Sequence, residues 1–359
     1  MTFAVIIILL SLLFSYWLSR VFFIFAQKAN ILDHSSSAPE RKQQQKSVPL
    51  LGATGLIFTA TILSLLVWLA AVFDWLDLSK VLQTNLEDAN FGWIIVSILI
   101  LTIGGYIDDK FNLQPKFLAI HITIALLVAV FFGGLQIEAL SFPFDKILPQ
   151  NSFLAYLFSF LWLGLCTAST KFLDGLDGLV STVGVIAFLT IASISFSLLV
   201  FQPFTIIISL IWAFSLIGYL PFNFPDARSY LGEGGSEVIG FMVGVLSILS
   251  GAKVATVSMV IGWFIIDIIF VIFLRLSKKK NPLKGDRLHW HFRLIDIGLS
   301  KHQALTLTTA IILITAQLGL ILPTAQKVFV LIVQLILILV AFLVSIIFKK
   351  RTLKRVKHN

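Results

Sequence analysis

Eleven separate apolar runs, each near the roughly 20 residues a helix needs to cross a bilayer, constrain this chain more than any motif in it. They read as spans over 3–25, 50–73, 91–107, 117–137, 152–169, 179–200, 204–221, 237–252, 254–275, 302–323 and 327–348. A composition of 58% hydrophobic and 13% charged residues, with a mean hydropathy of +0.98, lies far outside that of soluble domains. The expected fold is therefore all-α: one polytopic membrane bundle over 1–359, with cytoplasmic loops at 26–49, 108–116, 170–178, 222–236 and 276–301 and a basic tail at 349–359. The first run is too long for a signal-peptide core, has no basic residue ahead of it and carries Arg20 near its far end, so it reads as a span. The one cysteine, Cys166, excludes an intramolecular disulfide.

Threading the spans with the N-terminus outside gathers nearly all loop lysines and arginines on one side, from Lys28 through Lys278–Lys280 to the cluster Lys349 to Lys357. Only Lys80, Lys146, Lys253 and Lys327 fall opposite. By the positive-inside rule the basic side is cytoplasmic and holds the C-terminus, with the N-terminus outside. The net charge of +9 then calls for no nucleic acid; anionic lipid headgroups and an anionic substrate explain it. No internal repeat or second soluble domain is visible. The polar stretch within 27–48 has loop composition, and the outer loops are short and mildly acidic (Asp74, Asp77, Glu87, Asp88).

Four stretches on the basic side hold the chemistry-bearing residues. In DDKFNLQPK (108–116), Asp108 and Asp109 stand at a helix C-terminus, where the macrodipole disfavours negative charge. They call for a cation: Lys110, Lys116 or a bound Mg²⁺. In KFLDGLDGL (171–179), Asp174 and Asp177 at i, i+3 would share one helical face, with Gly175 and Gly178 open to a ligand; a glycine-rich turn with solvated acids is the plainer alternative. LGEGGSE (231–237) places Glu233, Gly234 and Ser236 before an apolar helix, as an anion nest or as a simple capped turn. In DRLHWHFRL (286–294), His289, His291 and Arg293 alternate and would project from one side of an extended segment. Zinc binding there is opposed by Arg293 and by the want of a further ligand; phosphate binding fits better, and a basic membrane-surface loop is the plainer reading.

Taken in order, these residues resemble the polyprenyl-phosphate N-acetylhexosamine-1-phosphate transferase family. The likeness covers GGYIDDxxxLxPK at 104–116, DGLDGL at 174–179, Asn223 with the LGEGGS loop, Asp267, Arg275, and DRLHWHFRLIDIGLS at 286–300. The last motif and the span number are closer to the branch using UDP-GlcNAc-type donors. The resemblance implies transfer of a sugar-1-phosphate from a UDP-N-acetylhexosamine to undecaprenyl phosphate, with Mg²⁺ or Mn²⁺ as cofactor, releasing UMP for envelope polysaccharide synthesis. It assigns Asp108 and Asp109 to orienting the lipid phosphate, Asp109 and Glu233 to the metal, and Asp174 and Asp177 to the nucleotide side. Lys116, Lys171, Asn223, Gly234, Ser236, His289, His291 and Arg293 form the substrate-binding set. The acceptor phosphate, with a second pKa near ~6, is already largely ionised at neutral pH, which favours alignment over proton removal. A homodimer is consistent with the family.

The chain departs from the family pattern at its centre. Glu233 replaces the usual Asp, Lys171 the usual Asn, Phe292 the third histidine, and Gln44 and Gly52-Ala53 an early histidine and Gly-Gly pair. A catalytically weakened relative serving in binding or scaffolding is the alternative these changes raise. A transporter would be marked by ionisable groups at mid-membrane, of which Asp267 is the main candidate.

Overall fold

The computed structural model describes residues 2–29, 31–33, 48–49, 51–73, 75, 90–111, 113–137, 139–140, 146–149, 151–197, 201–251, 254–279 and 288–358. Gln44, Arg287, Asp286 and the outer-loop acids Asp74, Asp77, Glu87 and Asp88 lie outside them. The helices are α1 (Thr2–Lys28), α2 (Gly52–Val72), α3 (Phe91–Phe111), α4 (Pro115–Leu127), α5 (Phe153–Leu173), α6 (Leu179–Ser195), α7 (Pro203–Asn223), α8 (Gly232–Leu249), α9 (Val254–Ser277), α10 (Trp290–Asp296), α11 (Lys301–Ile321) and α12 (Thr324–His358). Pro115 starts α4, where its missing N–H costs nothing, and a wider turn over Val128–Phe132 extends that helix to Gly133. Two antiparallel ladders of two residues per strand, Leu32–Asp33 with Val48–Pro49 and Ala139–Leu140 with Lys146–Ile147, are the strands among the described residues.

Among the described residues nine helices are long and apolar enough to cross a membrane. Two shorter apolar helices, Lys116–Phe132 and Leu179–Ser195, occupy the places of the expected fourth and sixth spans. The protein is an all-α, multi-pass membrane protein. The helices of the fourth and sixth expected spans end early, at Phe132 and Ser195, whereas others run on into segments read as loops. Thus α3 includes Asp108 and Asp109, α8 begins at Gly232, and Trp290–Asp296 is helical. Polar residues at a helix end escape a hydropathy window, although backbone hydrogen bonding continues through them.

Exposure sorts the helices into layers. In α8, 89% of the most apolar window is buried, against 22% in α1 and 17% in α12. Thus α8 is the hub, and α1 and α12 present their apolar sides outward. Two close helix crossings fix its neighbours. A Cβ on Gly105 would stand 2.2 Å from the Gly234 backbone, and one on Gly240 would stand 2.1 Å from Thr170 Oγ1 and 2.4 Å from Cys166 O. Where lipid supplies no hydrophobic drive between helices, such small-residue contacts let backbones pack closely. They bring the C-terminal ends of α3 and α5 against the first turns of α8.

Candidate active site

The acids of α3 meet α8 end to start. Asp109 accepts the Glu233 backbone N–H on both carboxylate oxygens, at 3.2 Å (Oδ1) and 3.1 Å (Oδ2). Its own helix disfavours a negative charge at that end, and the positive start of α8 offsets this. The expected counter-cations are elsewhere: Lys110 and Lys116 are exposed and lie over the rings of Phe111 and Phe117. The anion nest expected at LGEGGS is thus engaged by the protein's own carboxylate. Gly234 packs against α3, and Ser236, fully buried, donates its hydroxyl to the carbonyls of Gly232 and Glu233. Asp108 Oδ1 accepts the Leu113 N–H at 2.9 Å, pinning the chain as it leaves α3.

From α5, Lys171 reaches across the crossing at Gly240. Its Nζ lies 2.7 Å from Glu233 Oε2 and 2.7 Å from Glu237 Oε1. The Glu237 contact is a well-directed hydrogen bond, whereas the Glu233 contact has ion-pair distance without hydrogen-bond alignment. Glu237 is fully buried, and its second oxygen lies 2.9 Å from His121 Nε2 of α4. Lys171 therefore pairs with the proposed metal-site carboxylate and does not merely stand beside it. Sequence reasoning missed Glu237 and His121. The available signal was a carboxylate inside an apolar span, four residues and one helical turn from Glu233.

Asp174 and Asp177 do not share a helical face. Asp174 closes α5, and Gly178, at φ +76°, holds a left-handed backbone that ends the turn before α6. Asp174 is close enough to Asp109 for their charges to interact, as are Asp108 and Glu233. Asp177 is engaged differently: its Oδ2 accepts the Ala227 N–H at 3.3 Å and the Lys301 ammonium at 3.0 Å. Lys301 also stands 3.7 Å from exposed Asp226. Asn223 is buried and braces the following loop, accepting from Ser181 Oγ at 2.7 Å and donating to Ser229 O at 3.1 Å.

The expected extended histidine row is instead the start of α10. Asp267 of α9 grips it with both oxygens, at 2.9 Å from His289 Nδ1 and 3.1 Å from the Trp290 N–H. A carboxylate acceptor places the proton on Nδ1, so His289 Nε2 is left to accept, or to donate when the ring is charged. His289 and His291 stack with parallel rings 6.2 Å apart. A Cβ on Gly175 would meet His291 Nε2 at 2.5 Å, which joins the 174–178 turn to α10. Arg293 parts from them: its guanidinium lies 4.3 Å from the Phe342 ring centre and 5.6 Å from that of Phe270, and its Nε donates to Leu288 O. His289 is the extended cap of α10 while His291 and Arg293 are helical, so the three do not form the single row that an extended strand would give.

The structure thus gathers Asp108, Asp109, Asp174, Lys171, Glu233 and Glu237 at one end of the bundle, with His289 and His291 beside the same turn. Asn223, Ser236 and Arg293 act within the protein's own packing, and exposed Lys116 stands apart. Among the described residues no three histidine, cysteine, aspartate or glutamate side chains gather closely enough to hold a metal alone. Magnesium does not require that, since it keeps waters and binds through one or two carboxylates plus substrate phosphates. Among the described residues the hydrogen bonds to Asp108 and Asp109 come from backbone N–H groups, with no ammonium or guanidinium paired to them. Asp109 and Glu233, joined through the Glu233 N–H, offer hard oxygens of the kind a divalent cation takes alongside waters and substrate phosphates.

A many-spanning helical bundle that gathers acidic and basic side chains at one end is a polytopic membrane protein with a charged site. The profile of glycosyl transferase family 4 matches residues 91–251, from α3 through α8. Phospho-N-acetylmuramoyl-pentapeptide-transferase of Staphylococcus aureus is 30% identical over 247 residues, 63% of this chain and 75% of that protein. The chain belongs to glycosyl transferase family 4. It is also 27% identical over 278 residues, 77% of each chain, to undecaprenyl-phosphate alpha-N-acetylglucosaminyl 1-phosphate transferase of Thermotoga maritima. A protein of Bacillus subtilis named "Probable undecaprenyl-phosphate N-acetylglucosaminyl 1-phosphate transferase" is 30% identical over 213 residues, 58% of this chain and 59% of that relative.

Proposed function

We propose that this protein transfers N-acetylhexosamine-1-phosphate from a UDP-sugar to undecaprenyl phosphate, releasing UMP, at the cytoplasmic face of a bacterial plasma membrane. The observation that carries the reading is the junction of α3, α5 and α8, where Asp109, Lys171 and Glu233 meet within ion-pair and hydrogen-bond distance. The names of the relatives support the lipid acceptor and the N-acetylhexosamine-1-phosphate group transferred.

In this reading a phosphate oxygen of the lipid attacks the β-phosphorus of the nucleotide sugar, and the bond from that phosphorus to the bridging oxygen breaks, releasing UMP. Little covalent work falls to the protein, so positioning and charge supply the rate. Asp108 and Asp109, held by backbone N–H groups, align the acceptor. Asp174 and the 174–178 turn border the nucleotide, and His289 Nε2, with its ring fixed by Asp267, is available to a sugar or phosphate oxygen. Asp109 and Glu233 would hold Mg²⁺, which when bound neutralises pyrophosphate charge. The basic helix ends at this side support a cytoplasmic orientation.

The test is a panel of radiolabelled UDP-N-acetylhexosamines offered to purified protein with undecaprenyl phosphate and Mg²⁺ in detergent. At least one donor should release UMP in proportion to lipid phosphate added. No release from any donor contradicts the reading.

A further inference from the structure

The Lys171 ammonium has a feature that the transfer reaction alone does not explain: it is clamped by two carboxylates of one helix, one of them wholly buried. Glu233 and Glu237 are one turn apart on α8, and Nζ sits 2.7 Å from an oxygen of each. His121 holds the other Glu237 oxygen at 2.9 Å, so the clamp is fastened from α4 as well. The close crossing of α5 on α8 at Gly240 sets the reach of Lys171. An ammonium has three N–H donors; Glu237 takes one by a directed hydrogen bond, while Glu233 is held by charge at ion-pair distance. The Lys171 side chain retains 13% exposure, and its charge also acts on Asp108.

We propose that Lys171 is a resident cation of this site. Its fixed charge serves phosphate oxygens of a nucleoside diphosphate sugar and shares Glu233 with whatever divalent ion binds there, while Glu237, braced by His121, is the positioning residue that draws it partly off Glu233. The inference deepens the transfer reading and rests on it for the identity of the ligand. Its charge logic does not depend on turnover. An ammonium against Glu233 repels a divalent ion seeking the same carboxylate, so removing it should tighten metal binding. Removing Glu237 leaves the ammonium to Glu233 alone and should loosen metal binding.

The experiment is Mn²⁺ binding to the resting full-length protein in detergent, followed by electron paramagnetic resonance. We expect Lys171→Met to bind Mn²⁺ at least about tenfold more tightly than wild type and Glu237→Gln to bind it several-fold more weakly. A purely structural strut would not give opposite signs. The double variant Lys171→Met, Glu237→Gln removes both members of the buried pair and guards against misfolding; it should keep the tightening. Affinities unchanged within about twofold, or moving in the same direction in both single variants, would overturn the proposal. If wild-type protein transfers no sugar phosphate from any donor, the functional reading fails while the Mn²⁺ result still decides whether Lys171 and Glu237 set the charge available at Glu233.

Discussion

Asp109 illustrates how much a single residue can reveal before its partner is known. The acid pair at the end of an apolar run was visible in the sequence, and so was the electrostatic objection to placing it at a helix C-terminus. The partner was not, because the relief comes from the backbone of α8, more than a hundred residues away, and a backbone N–H leaves no mark in side-chain composition. Lys171 was legible only as an oddity, since its meaning depends on Glu237, which hides inside a hydrophobic helix. Asp109→Asn keeps an oxygen to accept the Glu233 N–H but loses the charge. It should lower kcat by at least about 10²-fold with little change in thermal unfolding, measured as UMP release and melting in detergent. A variant with wild-type kcat would remove Asp109 from the chemistry.

At the level of elements, hydrophobic patterning located every long helix but stopped short at the ends that matter. The first turns of α8, glycine-rich and acidic, read as a loop, and α10 read as an extended strand because alternating histidines fit a period of two. Both are helical because tertiary contacts satisfy their starts: Asp109 for α8, and Asp267 for α10. The crossings that align these helices are set by glycines whose importance the sequence hinted at only through small size. Gly240→Ala would push a methyl to within 2.4 Å of Cys166 O. It should cost about 1–3 kcal/mol and move Lys171 away from α8. Thermal unfolding should show the loss, and the transfer rate should fall further than stability alone explains. Unchanged melting and rate would mean that α5 and α8 are not so closely apposed.

At the scale of the whole molecule, the basic side deduced from loop charges is the side where the end of α3, the end of α5 and the starts of α6, α8 and α11 meet. Under the proposed function, charge reports orientation and site location together, since the segments kept in the cytosol would also be those offered to a charged nucleotide. Single-cysteine labelling tests the orientation. After Cys166→Ser, Ala325→Cys should react with an impermeant maleimide in intact cells, and Gln114→Cys only after permeabilisation; the reverse pattern would invert the protein. The central claim is that the acidic junction of α3, α5 and α8 moves a phosphoryl group together with its sugar. The most direct measurement follows a UDP-N-acetylhexosamine carrying ³²P in its β-phosphate and ¹⁴C in its sugar. Both labels should enter undecaprenyl lipid in equal amounts as UMP leaves, and both should stay in the aqueous phase with Asp109→Asn. Arrival of ¹⁴C without ³²P, or of neither label with wild-type protein, would contradict the account.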